Sequence, residues 1–274
     1  MFFKLPNEPE GRFYDNIRVG LHGQSTSGFG KKAQNVNFNA DNRFHWSTGE
    51  SEISTMNLLS NYADKTKVRN KMAWDFWNRT RHPSHWCQMV RVQQVIPSTV
   101  NAGVAAQFYG LWDMTEDGNS DFLKRWGLDE NGALYKCYNS LDNARQTTSN
   151  SSGVEKKTRE WENFSDLQAL VTALNPANAL NNRRQWTYDN VDVPARINLL
   201  AVHAFIRSND YGIKTITSTV TRTAPRSGRC CRGIRASALG IPGSAARRTS
   251  TTTSTVPAAC CLETRRAIIS CASR

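Results

Sequence analysis

No Phe, Tyr or Trp occurs after Tyr211, although the chain holds 11, 7 and 8 of them respectively. This absence divides the 274 residues into a body composed like a folded protein and a tail without the large side chains a core needs. Acidic residues are scarce in the same place: residues 214–274 hold 11 Lys/Arg against Glu263 alone, a net +10. The remaining 213 residues hold 24 basic and 22 acidic groups, a net +2. The overall +12 therefore belongs to the tail, and the body carries no excess that would mark a nucleic-acid binder. Cys-x-x-Cys and Cys-x-x-His spacings are missing too. Cys87 and Cys137 lie in the body, while Cys230, Cys231, Cys260, Cys261 and Cys271 crowd the tail. An odd total with two adjacent pairs provides neither a disulfide framework nor a zinc site. No apolar run reaches 18 residues, so no transmembrane helix is expected. The start, MFFKLPNEPEGRF, turns polar too early for a secretion signal. Composition leaves the compartment undetermined.

The body itself is patterned. RFYDNIRVGL (12–21) has strand composition, and AQNVNFN alternates Val36 and Phe38 as a second strand would. Between them, GQSTSGFGKK makes a glycine-rich hairpin connection. Residues 64–79 place Val68, Met72, Phe76, Ala73 and Trp77 on one helical face, with Asp64 as N-cap. CQMVRVQQV and QFYGLWDM read as paired strands. Past residue 150 the periodicity becomes helical, with Trp161, Phe164, Leu167, Leu170, Val171 and Leu174 at spacings of three and four. ARINLLAVHAFI is apolar on nearly every face, which predicts a buried helix. Strands first and helices later point to an α+β protein with a sheet-rich part and a helical part.

Two stretches carry chemistry. In GQSTSGFGKK, Gly23, Gly28 and Gly30 remove side chains, so backbone amides can approach phosphate oxygens, and Lys31 or Lys32 can add charge. It is no Walker A loop, because that spacing needs glycine where Ser25 stands, and a plain hairpin turn fits it equally. In SNDYGIK, Asp210 follows directly on the apolar helix. A carboxylate fixed there is placed to accept a proton from a substrate hydroxyl, or is simply a polar residue of a turn with Gly212.

With RVGLHGQSTSGFGKK, NLLSNYADKTKVRNKMAWD, QFYGLWDMTED followed by DFLKR, and INLLAVHAFIRSNDYGIK, the body from Asn16 to Lys214 resembles the CotH kinase family, named for a spore coat protein. The resemblance implies an atypical protein-kinase-like fold, here incomplete, and transfer of phosphate from ATP to protein Ser/Thr with Mg or Mn. It further implies that Asp210 is the catalytic aspartate. Lys31 and Lys32 would lie in the phosphate-side segment with the glycines, and Glu116 near the nucleotide. Spore coat, cell surface or secreted locations are those the family suggests. Departures exist: a lysine common on the second strand is Asn35 here, and the Asn-aromatic-aromatic strand and metal-binding P-W-D segment beyond the aspartate are not visible. The family usually has sequence ahead of this first strand, so an N-terminal truncation is expected.

A frame change near Lys214 accounts for the tail. Reading each codon one base earlier allows Thr215–Thr221 to become N-Y-Y-V-Y-R-D, with Asn five places after Asp210. The same shift forces Cys231 to Leu and allows CCRGI to become L-L-P-W-D. The alternative is a real, solvated basic tail whose arginines touch phosphates non-specifically. The expected organisation is thus residues 1–214 as a partial kinase-like domain and 215–274 as a non-globular tail. The expected function is a CotH-like kinase, inactive in this chain for want of its metal ligands. The rival is a non-catalytic coat or surface adhesion protein.

Overall fold

A computed structural model describes residues 1–23, 25–80, 82–95, 107–137 and 154–208, together with the backbone of 216–220. Two short strands, β1 (Phe2–Phe3) and β2 (Arg12–Phe13), form a ribbon that opposes Phe2 to Phe13. The glycine-rich hairpin comes next as β3 (Arg18–Leu21) and β4 (Gln34–Asn37). After it come β5 (Thr55–Leu59), helix α1 (Arg69–Arg79), β6 (Cys87–Gln94) and β7 (Gln107–Glu116). These strands make a five-stranded antiparallel sheet in the order β3-β4-β5-β7-β6.

Alternation along the strands gives the sheet one apolar and one polar face. Val36, Met56, Leu58, Trp112 and Met114 point to a core that Tyr14, Phe38, Phe44 and Trp86 complete. Phe44 is at the centre, with the rings of Phe3 and Phe38 4.9 and 4.8 Å away. Asn35, Asn57 and Thr115 lie on the opposite face, where the register pairs Asn35 with Asn57 and Asn57 with Thr115. The strand pairings β3–β4 and β6–β7 are those the sequence predicts.

The chain continues through α2 (Ser120–Arg125), β8 (Ala133–Cys137), β9 (Val154–Lys156), α3 (Ser165–Ala173), α4 (Leu180–Asn190), α5 (Val193–Ile206) and β10 (Ile216–Val220). The last three strands form an antiparallel sheet in the order β10-β8-β9. On β8, Ala133, Tyr135 and Cys137 pack against Leu167 and Leu170 of α3, and Leu134 turns the other way to Phe122 and Leu123 of α2. The architecture is α+β.

The helices depart from expectation in three places. α1 begins at Arg69 rather than Asp64, whose carboxylate instead closes the preceding turn by accepting from the amides of Thr66 and Arg69, each at 3.0 Å. Its buried face is Trp74 and Trp77, packed on Cys87, Leu199 and Val202, whereas Val68 and Met72 are exposed. Indole rings bury more apolar area than Val or Met, and the helix rotates to satisfy them. α5 buries only Leu199, Val202 and His203. Its Phe205 is 70% exposed and stacks on Phe76 at 4.2 Å. Finally, Val154–Lys156, past residue 150 where the periodicity reads as helical, form strand β9.

Candidate phosphate-binding face

The connection between β3 and β4 is pinned at its base by His22, whose amide donates to Ala33 O at 2.8 Å. Gly23 has φ +95, and a Cβ there would lie 2.1 Å from Thr26 Oγ1, so no other residue fits without rearrangement. A 3-10 turn spans Ser25–Gly28. Nothing crowds Gly28, and Gly30 passes over Tyr62 at ordinary contact distance. Phe29 packs on Tyr62 with ring centroids 5.3 Å apart, which anchors the far side of the loop.

The two lysines diverge. Lys31 lies over the Trp112 ring, its ammonium 4.2 Å from the centroid, and donates to Leu111 O. Burial and then the charge of Lys67 lower its pKa, against the pull of Asp113. Lys32 is exposed.

Beneath this loop the polar face carries a continuous hydrogen-bonded row. Asn37 donates to Asn35 and Asn35 to Asn57, both at 2.8 Å; Asn57 then donates to Asp117 at 3.2 Å. Lys157, just past β9, closes the row with contacts of 3.2 Å to Asp117 and 3.1 Å to Glu155. Burial alone would raise the Asp117 pKa, but Lys157 and Asn57 outweigh it and hold the carboxyl below its usual range. Lys157 is raised in turn, since Asp117 and Glu155 overcome the burial that would lower it. Lys136, on β8, is lowered by burial, with Asp117 and Glu155 opposing. His22 is pushed down to about 4 by burial and by the charge of Lys136, so its imidazole is neutral at pH 7. Two ammonium groups, two carboxylates and a neutral imidazole thus converge from β3, β7 and the β8–β9 pair.

Glu116 is elsewhere. Its carboxylate, 2% exposed, accepts from Arg125 Nε at 3.0 Å and from the Trp86 amide at 3.2 Å, and Arg125 also reaches Ser84 O. One residue of alternation puts Glu116 on the core side, fastened to α2, and Asp117 with the polar row. Of the sequence-predicted residues, Gly23 and the loop stand at the edge of that row, while Lys31 is held on β7. Asp210 lies outside the described residues. Sequence does not single out His22, Lys136, Asp117, Glu155 or Lys157; the only signal is the lysine density of LYKC and VEKK.

Among the described residues no three His, Cys, Asp or Glu side chains converge as a metal ion requires. The two carboxylates of the row are committed to Lys157, so the row presents no ligand set for a cation. No described helix is long and apolar enough to cross a membrane.

A family model described as CotH kinase protein matches residues 19–219, from within β3 to within β10. No curated protein matches the chain.

Proposed function

The chain belongs to the CotH kinase family, and from that premise we propose that the polar face beneath the glycine-rich loop holds the phosphates of ATP for transfer to a protein Ser or Thr hydroxyl. The observation that carries this reading is the convergence of Lys136, Lys157 and neutral His22 at the base of the loop. Desolvated ammonium groups and backbone amides freed of side chains are what a polyphosphate needs, because phosphoryl transfer depends chiefly on positioning and neutralisation of charge. ATP enters by exchanging its own oxygens for Asp117 or Glu155 around Lys157. Gly23 lets the loop backbone approach closely, Lys32 meets the phosphates from the exposed side, and Asp210 takes the hydroxyl proton. Mg or Mn would supply charge neutralisation between the phosphates when bound. The described residues offer it no ligand set, and the family's metal-binding segment is missing from the sequence after Asp210. The expected behaviour is therefore nucleotide binding with little or no turnover.

The test is ATP binding by calorimetry to the full chain, its Lys136→Ala variant and its Asp210→Ala variant. Binding that is lost in Lys136→Ala and kept in Asp210→Ala supports the reading. Undiminished binding in Lys136→Ala overturns the site, and turnover well above that of Asp210→Ala overturns the claim of inactivity. The rival reading, a non-catalytic coat or surface adhesion protein, draws on exposed Phe108, Tyr109 and Leu111 of β7. Attachment to a coat or host partner that is indifferent to Lys136→Ala and Asp210→Ala would favour it.

A further inference from the structure

A cavity of about 790 Å³ opens beside this row, between the start of α2, the Asp129–Asn131 turn and the segment after β9. Its lining is charged in an unbalanced way. Lys157 is committed to Asp117 and Glu155, and Arg159 to Glu162 with a further bond to Asn131 O at 3.3 Å. Asp129, Glu130 and Glu160 face the same space, and among the described residues none of them enters an ion pair. At the mouth stands Trp161, 84% exposed. A naked indole beside three uncompensated carboxylates suits a guanidinium, which can lie on the ring and bond the acids at its edge.

The topology delivers such groups to this spot. β10 runs antiparallel to β8, and its last residue, Val220, pairs with Ala133. Ala133 follows Gly132 directly on the Asp129–Asn131 turn, so β10 ends next to the acidic rim. The remainder of the chain, residues 221–274, contains ten arginines and one acid, Glu263. Arg222, Arg226 and Arg229 come first.

We propose that the cavity is a docking site for the chain's own arginine-rich tail, with the first arginines seated on Trp161 and against Asp129, Glu130 and Glu160. Ordering the tail costs conformational entropy, but attachment at Val220 makes the encounter intramolecular, at high effective concentration. The cavity shares Lys157 with the proposed phosphate row, but its rim, Asp129, Glu130, Glu160 and Trp161, lies outside that row and stands whether or not ATP binds.

Limited trypsin digestion of the full chain tests it, with cleavage after Arg222, Arg226 and Arg229 monitored by mass spectrometry. A synthetic peptide of residues 221–248 gives the unprotected rate. At low salt the full chain is expected to be cut about ten-fold more slowly than the peptide, as a few exposed ion pairs and one ring contact would give. Protection should disappear in the triple variant Asp129→Asn, Glu130→Gln, Glu160→Gln, in Trp161→Ala, and at 0.5 M salt, on the order of three times the physiological ionic strength. These rim residues are surface groups, and an unchanged melting temperature verifies that each variant is folded. Cleavage of the unaltered chain at the peptide's rate overturns the proposal. So does protection that survives both rim variants, or protection that rises with protein concentration, which would assign the cavity to the tail of a second copy.

Discussion

Glu116 and Asp117 are neighbours in sequence and face opposite sides of the same sheet: Arg125 holds the first and Lys157 the second, at 3.2 Å. The first pair fastens α2 to the apolar core, and the second joins the polar face to β9. One peptide unit thus connects the fold's stability to its candidate chemistry.

The two carboxylates should separate cleanly in mutagenesis. Glu116 is buried with a guanidinium and a backbone amide as partners, so Glu116→Gln leaves the half-buried Arg125 charge without its counter-ion. Breaking a buried pair in this way costs about 3–5 kcal/mol. Thermal or urea denaturation should show a loss of that size, with the ATP affinity of the folded fraction unchanged. Asp117→Asn should lower stability less and raise affinity for ATP, since Lys157 is released toward phosphate. Equal effects of both variants on binding would contradict this division.

Gly23 provides a sharper test of the loop. Its φ of +95 and the 2.1 Å approach of Thr26 Oγ1 to a Cβ both penalise alanine. Gly23→Ala should cost about 1–3 kcal/mol locally, the range of backbone strain at such a conformation. Because the loop is anchored elsewhere by Phe29 on Tyr62 and Lys31 on Trp112, the sheet should survive. The expected result is weakened ATP binding with a small shift in melting temperature. Gly28→Ala, in open space, should do neither.

Two desolvated histidines, half-buried His22 and buried His203, set a pH dependence. His22 and His203 are both pushed down to about 4 by burial, from an ordinary value of 6.5. The unfolded chain therefore binds more protons than the folded one between those limits, and stability rises with pH across that window. Their contribution is complete above pH 6.5 and is lost as the pH falls towards 4. Urea midpoints measured from about pH 7.5 down to about 4.5 should decline, and His203→Asn, at an interior position, should flatten the decline. A midpoint that holds steady over this range would contradict the assignment of neutral, desolvated imidazoles.

Much of the sheet is legible in the sequence because alternation is a local signal. Val36 and Phe38 announce β4, and the runs at β6 and β7 pair as their composition suggests. The glycines mark the loop for the same reason, since a positive φ at Gly23 is written in one residue. The polar row is not legible. Asn57, Asp117, Lys136 and Lys157 come from four places in the chain, and each alone reads as an ordinary surface residue; only the closure of β8–β9 over the sheet makes them one cluster. The family resemblance alone points to Glu116; local sequence shows that carboxylates end β7 but not that Glu116 turns to the core side and Asp117 to the polar row. The helix faces fail differently. Periodicity gives the right spacing for α1, but spacing cannot rank Met72 against Trp74, and the larger ring takes the core.

That last difference can be measured directly. Trp77 is fully buried, with its ring 5.6 Å from Trp74 and 5.0 Å from His203, and it joins α1 to Leu199 and Val202 of α5. Trp77→Ala opens a large cavity where α1, β6 and α5 meet and should destabilise the chain by about 3–5 kcal/mol. Met72, 64% exposed, has little to lose, and Met72→Ala should fall within about 0.5 kcal/mol of the unaltered chain, helped by alanine's helix propensity. The face expected from spacing, Val68, Met72, Phe76, Ala73 and Trp77, shares Trp77 with the observed one but also demands that Met72→Ala be costly. Because Trp77 belongs to both faces, urea denaturation of Met72→Ala decides between them, with Trp77→Ala as the positive control. A large loss for Met72→Ala would turn α1 by about a third of a turn, since adjacent helical positions are about 100° apart. It would also remove the contact between α1 and α5 that places the chain's last described helix just ahead of Asp210.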